Sequence, residues 1–375
     1  DPFGHSSATP ALFKAIGFDA MVINRIHHQK KTEFKAGKLM EFVWRGANIE
    51  GVSAGSSEGD SDMFTHVLHT HYSAPKGFDW EEGSPQISGG NVEQRAQALA
   101  NELKRRSNAY RTPHLLVPFG DDFKFKNAPN QFQNMDALMR HVNENKDRLG
   151  IQLRYATLSE YFKSVQEHAA QNRLTFPLFM GDFFPYADNE DSYWTGYYTT
   201  RPFLKKLSRQ VEAAMRGAES LYAMARASIH ANDNPAPPGL VDKKAAAAHW
   251  MQTFDALRRG RRDAAIFSHH DAITGTCRSH VANDYVSRMN NALNTANGII
   301  DSYLSIFMTK NPTKPPQLTH ASRVLTRGKA PHPVVIFNSL SWSRSEVVSV
   351  HVDSPHVYVA DPDGKPVQSQ VDRYW

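Results

Sequence analysis

At 375 residues the chain is longer than one ordinary core of about 100–200 residues supports, which predicts two or three domains. Hydrophobic residues at 40% and charged residues at 22% are the composition of a globular protein, and no run of about 18 apolar residues offers a membrane span. A formal charge of +5 raises nucleic acid as a partner, but the basic runs Lys104-Arg105-Arg106 and Arg258 to Arg262 come without an aromatic stacking platform or a nucleic-acid motif, and read as solvated helix faces.

The single cysteine, Cys277, excludes an intrachain disulfide, and the one Asn-x-Thr match, Asn311-Pro312-Thr313, carries the forbidden proline. The opening Asp1-Pro2-Phe3 has no Met, basic region or apolar leader before it, which implies processing or truncation.

In chain order, short apolar runs first alternate with amphipathic stretches, the pattern of a largely parallel sheet with helical crossovers. Strands are expected at 20–23, 42–44 and 64–68, with a surface loop rich in Gly, Ser and acids from Gly51 to Asp62. A helix follows from about Val92 to Arg106, then a buried strand at 114–119 that ends in Gly120-Asp121-Asp122. Further helices are expected around 132–145 and 159–171, with a strand at 152–155 between them.

From Leu204 the spacing changes. Leu204, Leu207, Val211, Ala214, Ala218, Leu221 and Ala225 recur at alternating intervals of three and four, the seam of a helix bundle. A second helix carries Trp250, Phe254 and Leu257, and a third carries Tyr285, Met289, Ala292, Ala296, Ile299 and Tyr303, so a three-helix bundle is expected. The proline-rich stretch 310–333 reads as a linker. Strands at 334–337, 347–352 and 357–359, with a tight turn at Asp361-Pro362-Asp363-Gly364, begin an all-β region that stops unfinished at Trp375.

Three groups of residues suit chemistry. Asp121 and Asp122 lie at the carboxyl end of an expected strand, where α/β folds bind ligands, and one of them fits a general acid; a solvated loop pair gives the same pattern. His269-His270-Asp271, in the segment Phe267 to Thr276, can supply a metal ligand and its neighbours within one turn, although a chance pair is common among eighteen histidines. Gly181 to Tyr198 mixes acids with dense aromatics, which suits sugar rings stacked on aromatic faces and equally suits a packed interface.

Four motifs then occur in a telling order: Asp1-Pro2-Phe3-Gly4-His5-Ser6, Gly120-Asp121-Asp122-Phe123, Asp182 to Asp188 with Tyr193-Trp194-Thr195-Gly196-Tyr197 and Arg201-Pro202, and His269 to Thr276. Together they resemble glycoside hydrolase family 38 α-mannosidases in order and spacing. The run Arg278 to Tyr285 is most similar to the lysosomal, broad-specificity branch.

The resemblance implies a zinc-dependent retaining hydrolase of terminal α-mannosyl residues. By it His270 is a Zn2+ ligand, Asp122 the general acid/base, Asp271 a contact to a mannose hydroxyl and Trp194 an aromatic lining the sugar site, while Asp1 and His5 buttress the site. Lys124 stands where part of the family has arginine. The implied partner is a mannose-containing oligosaccharide or glycoprotein glycan, with no nucleic acid and no membrane, in a lysosome or other acidic endomembrane compartment.

The implied architecture is an α/β domain, part of a seven-stranded-type β/α barrel, over 1–190; a three-helix bundle over 191–309; the linker 310–333; and the start of a β-sandwich over 334–375. The family's early His-x-Asp and its nucleophilic Asp are expected upstream of Asp1, so the 375 residues alone are expected to be inactive. Other His-x-Asp spacings occur only at His269–Asp271, already used, and at His351-Val352-Asp353 in the β region, where the match reads as incidental. A non-catalytic mannose-binding remnant is the alternative.

Overall fold

A computed structural model describes residues 1–48, 61–81, 83–230, 243–308, 324–328 and 331–373. Residues 51–60 of the expected 51–62 loop and most of the 310–333 segment lie outside the described residues, and Asp62 already belongs to a strand. The chain forms two compact units, Asp1–Thr195 and Gly196–Trp375.

The first unit is built on a four-stranded sheet. Its strands are β1 (Ala20–Ile23), β2 (Glu41–Arg45), β3 (Asp62–Val67) and β4 (Leu178–Met180), in the order β1-β3-β2-β4. β1 runs parallel to β3 and β2 parallel to β4, but β2 is antiparallel to β3, so the sheet is mixed rather than largely parallel. The antiparallel register sets Glu41 opposite His66 inside the sheet, where His66 Nδ1 lies 3.0 Å from Glu41 Oε1 and the Tyr161 hydroxyl donates to the same oxygen at 2.6 Å.

Side chains alternate across each strand, so each face has its own core. Met21, Ile23, Phe42, Trp44, Met63 and Val67 pack with Phe34 and Phe183. Ala20, Val22 and Phe64 instead meet Tyr161, Phe162 and Val165 of a helix over Leu158–Asn172. That helix opens with a capping box, in which Thr157 and Glu160 satisfy each other's backbone N–H groups. A third cluster joins the helices Val92–Ser107 and Ala128–Glu144 through Leu99, Leu103, Leu138 and Val142.

The runs 114–119 and 152–155 do not form strands. Leu115, Val117 and Phe119 still face the third cluster while Leu116 faces the Tyr161 cluster, so a strand's alternation survives without its ladder. At Leu153 the backbone partner is a side chain: Asn143 accepts from the Leu153 N–H at 2.8 Å and donates to its carbonyl at 2.9 Å, taking the place of a neighbouring strand.

In the second unit three long helices, Pro202–His230, Lys243–Ile266 and Ser279–Met308, share one core. All seven seam residues from Leu204 to Ala225 lie in or against it, and so do the six expected from the third helix. The middle helix differs. Phe254 is 51% exposed and Thr253 is buried in its place, donating to the His249 carbonyl and accepting from the Tyr303 hydroxyl at 3.2 Å. Trp250, Thr253 and Leu257 form the inward face, spaced by three and four, and Phe254 lies one step round the helix.

Of the expected β region little is regular. Val324–Leu325 and His351–Val352 make a short parallel pair, so strand residues fall inside the segment read as linker, whereas 334–337 and 357–359 are not strands. The tight turn is present: the Gly364 N–H donates to the Asp361 carbonyl, and Val367 N–H to Val359. Val335, Ile336, Val347 and Tyr358 are exposed, and apolar β-formers without a surface to pack on gain little from a ladder.

Candidate active site

β1 and β3 are parallel, so their carboxyl ends emerge at the same edge of the sheet. Arg25 follows β1 by two residues and Tyr72 follows β3 by five, and the two meet there, with the Arg25 guanidinium carbon 5.8 Å from the Tyr72 ring centre. Arg25 is enclosed by four rings: Trp194 at 4.6 Å, Phe3 at 5.5 Å, Tyr186 at 5.7 Å and Tyr72. A guanidinium over aromatic faces is held by the ring quadrupoles, most strongly by Trp. Its charge is balanced by Asp1, which accepts from Nε at 2.6 Å and from the terminal nitrogen at 2.8 Å. Side-chain exposures of 10% and 14% make this bidentate pair largely dry.

Local structure explains why Trp194 is present. Ala187 and Tyr193 form an antiparallel bridge, and the Trp194 N–H donates to the Tyr186 carbonyl at 2.9 Å. The loop from Asp188 to Ser192 thus folds back and stacks Trp194 edge-on against Tyr186 and Phe3, at 5.2 and 5.0 Å.

Asp122 joins this cluster through Tyr72, whose hydroxyl donates to Asp122 Oδ1 at 3.3 Å. Burial and the Asp122 charge raise the Tyr72 pKa, which keeps the hydroxyl a donor. Asp121 has a different environment. A hydrogen bond from Ser73 holds its carboxyl below the usual range, with help from the Asp122 N–H, which donates to Asp121 Oδ1 at 2.7 Å. The adjacent acids are therefore distinct: Asp121 is fixed as a carboxylate by its donors, and Asp122 points to the aromatic cluster.

His5 is buried, and its Nε2 has no hydrogen-bond partner among the described residues. Burial pushes its pKa down to about 4. Its carbonyl accepts from the Phe183 N–H at 2.8 Å, which ties the opening motif to the aromatic loop. Lys124 pairs with Asp79 at 3.1 Å.

In the second unit, the turn between the second and third long helices carries His269, His270 and Asp271. One ligand atom from each lies within 4.8 Å of the others, the single grouping of three or more such side chains among the described residues. The imidazole rings are 4.1 Å apart, and His269 Nε2 is 3.7 Å from Asp271 Oδ2. Two nitrogens and a carboxylate oxygen are a donor set that zinc accepts, and ligands about 2.0–2.2 Å from one ion lie at most about 4.4 Å apart, so small side-chain rotations suffice.

This turn is braced on all sides. Thr276 donates to Asp271 Oδ1 at 2.7 Å, and the N–H groups of Thr276 and Cys277 donate to the Asp271 carbonyl. The Thr274 hydroxyl donates to the His270 carbonyl. Arg201 donates to the carbonyls of Gly275 and Cys277 at 2.9 and 2.6 Å, and Lys205 to that of Thr274 at 3.1 Å. By contrast, the Asp353 carboxyl of the other His-x-Asp spacing accepts the Arg327 N–H at 2.9 Å, a structural role.

Of the sequence-predicted site residues, the first unit brings Asp122, Trp194, Asp1 and His5 into one region, and the second brings His270 and Asp271 together. Arg25 and Tyr72, which connect the first group, were not foreseen. The signal was their position just beyond the carboxyl ends of two predicted strands.

Comparison with known proteins bears on the same segments. Residues 1–189 match the glycosyl hydrolases family 38 N-terminal domain, and residues 192–306 the alpha mannosidase middle domain. The chain is 32% identical over 423 residues to Alpha-mannosidase 2 of Mus musculus, covering 100% of this chain and 35% of that protein. It is 32% identical over 394 residues to the Lysosomal alpha-mannosidase of Dictyostelium discoideum, covering 100% and 36%. It therefore spans about a third of the length of these relatives, and the similarity does not single out the lysosomal branch. A crystal structure of an alpha-mannosidase from Enterococcus faecalis superposes with a TM-score of 0.53 at 16% identity, over 82% of this chain and 29% of that one, a likeness of fold. The chain belongs to glycosyl hydrolase family 38, with matches to both the family's N-terminal domain and the alpha mannosidase middle domain.

Proposed function

We propose that the intact protein to which these residues belong hydrolyses terminal α-mannosyl residues of glycans with retention of configuration. In this reading the first unit is part of a β/α barrel and the second a three-helix bundle. The observation that carries the reading is the network Asp122–Tyr72–Arg25–Asp1 beside Trp194, which links two carboxyl groups to an aromatic surface.

Retaining glycosidases use two carboxyls about 5–5.5 Å apart in the reacting complex. Asp122, hydrogen-bonded by Tyr72, takes the general acid/base part: it protonates the leaving oxygen and later accepts a proton from the attacking water. Asp1 offers the cluster a second carboxylate, paired with and oriented by the Arg25 fork, so the nucleophile expected upstream has a candidate within the chain. Trp194 lines the apolar face of the sugar, and Asp271 accepts from a mannose hydroxyl. His270, with His269 and Asp271 beside it, is read as a Zn2+ ligand; the ion, when bound, gathers ring hydroxyls and helps distort the sugar. The upstream His-x-Asp supplies the remaining ligands, and on that ground the 375 residues alone are read as inactive. A lysosomal relative supports an acidic endomembrane compartment as the setting.

A fluorinated mannosyl fluoride, which traps the covalent intermediate of a retaining enzyme, tests the assignment in the intact protein. Mass spectrometry is expected to find the label on Asp1; a label on a peptide outside these 375 residues would return the nucleophile to the upstream segment, and an unlabelled protein that releases mannose would overturn the retaining mechanism. Asp122→Asn is expected to lower turnover by about 10²–10⁴.

A further inference from the structure

Phe123 belongs to the motif that carries Asp122, yet the chemistry above gives it no part. It is 85% exposed, the least covered of the large apolar residues described in the first unit, and its backbone sits at φ 59°, a region that residues other than Gly, Asn and Asp seldom hold. Such conformations persist where the surroundings impose them, often at ligand clamps. Here they are imposed. Glu81 accepts the Phe125 and Asn127 N–H groups with its two oxygens, both at 2.6 Å, and Lys124 is tied to Asp79 at 3.1 Å. The turn is fixed from the 79–81 segment, and Phe123 is held out into solvent.

Beside it runs a groove of about 570 Å³, a volume in the range of ligand clefts, lined by Asp122, Phe123, Lys126, Asn127, Asn130 and Trp80. None of the Arg25 cluster lines this groove, so Asp122 lies between the two, bonded to Tyr72 on the cluster side and open to the groove on the other. Lys126 Nζ is 5.5 Å from the Phe123 ring centre, and its ammonium and the neighbouring amides offer donors to hydroxyls.

We infer that this groove is the leaving-group subsite, in which a pyranose ring on the reducing side of the cleaved bond stacks on Phe123. The inference rests on Asp122 as the general acid. An acid must lie within a hydrogen bond of the glycosidic oxygen, so the sugar that departs with that oxygen occupies space adjoining the acid. Trp194 and Arg25 bound the side toward the cluster, and the groove bounds the other. An aromatic face next to polar donors is the surface a sugar ring matches, with its C–H face on the ring and its hydroxyls at the edge.

The test compares two substrates of the intact protein: an α-linked mannobiose, whose leaving group is a sugar, and α-mannosyl fluoride, whose leaving group cannot reach the groove. Phe123→Ala is expected to lower kcat/KM for the disaccharide by about tenfold more than for the fluoride, with most of the loss in KM. Phe123→Trp is expected to restore the preference. Equal effects of Phe123→Ala on both substrates, or a Phe123→Trp variant as impaired as the alanine, would overturn the subsite while leaving the hydrolase reading intact. If the unsubstituted protein turned over neither substrate, both readings would fall.

Discussion

The turn bearing His269, His270 and Asp271 depends on Gly275. Its φ of +74° is strained for any residue with a Cβ, and an added Cβ would stand 2.8 Å from the Thr200 carbonyl oxygen and 3.2 Å from Arg201 Cβ. Neither neighbour yields easily, because Lys205 donates to the Thr200 carbonyl and Arg201 donates to the Gly275 carbonyl itself. Gly275→Ala therefore combines about 1–2 kcal/mol of left-handed strain with about 1–3 kcal/mol of overpacking, a loss of roughly 2–5 kcal/mol. Gly17→Ala isolates the first contribution: Gly17 has a φ of +102° at a helix C-terminus and nothing within 4 Å of its would-be Cβ. Equilibrium urea unfolding followed by circular dichroism should show Gly275→Ala costing at least 1 kcal/mol more than Gly17→Ala. Zinc titration calorimetry of the same protein should show weaker binding, since the braced turn carries His270. Equal costs for the two substitutions would refute the claim that the Thr200–Arg201 backbone is a rigid wall behind the turn.

Other outcomes follow from the same contacts. Arg25→Met is expected to destabilise the first unit by about 3 kcal/mol, because it strands the largely buried Asp1 carboxylate, and Arg25→Met with Asp1→Asn should recover about half of that in urea unfolding. His5 is protonated at about pH 6.5 in the unfolded chain but only near pH 4 in the folded one. As pH falls below 6.5 the unfolded state binds the proton first, so stability drops between pH 6.5 and 4, by about 2 kcal/mol at pH 5. His5→Gln should flatten that part of a stability profile measured from pH 7.5 to 4.5. His270→Ala should reduce the zinc affinity of the chain at least about tenfold in calorimetry, and an unchanged affinity would move the metal site elsewhere. The 375 residues alone should release no mannose from an α-mannoside with zinc present; zinc-dependent release would remove the upstream His-x-Asp from the mechanism.

Helices were legible because their signal is local and repeated. In the third long helix Tyr285, Met289, Ala292, Ala296, Ile299 and Tyr303 specify one face six times over, and all six are buried. Phe254 shows the limit of that reading, since hydrophobicity alone ranks Phe above Thr, while the core took Thr253, whose hydroxyl both the His249 carbonyl and Tyr303 satisfy. Strands were legible only where a partner exists. β1, β2 and β3 pair along their length, but the apolar runs at 114–119 and 334–337 have the composition of strands without the ladder, and pairing is a property of two segments that one segment cannot announce.

The site divides along the same line. His269-His270-Asp271 is contiguous, so proximity follows from the sequence itself, and Asp122 is marked by its motif. Arg25 is contiguous with none of its partners: Asp1 lies 24 residues before it, Tyr72 lies 47 after, and Tyr186 and Trp194 more than 160 after. What brings them together is the parallel pairing of β1 with β3, which aligns two strand ends, and the Ala187–Tyr193 bridge, which folds the aromatic loop back. A guanidinium enclosed by four rings and one carboxylate is thus a product of sheet topology. The charge it carries has a consequence for the chemistry, because the same cation pairs with Asp1 through both carboxylate oxygens and packs against the Tyr72 ring whose hydroxyl reaches Asp122. Replacing it alters both carboxyls at once, so the effects of Arg25 and Asp122 substitutions on turnover should be non-additive, and strict additivity would mean that the two acids act independently of this cluster.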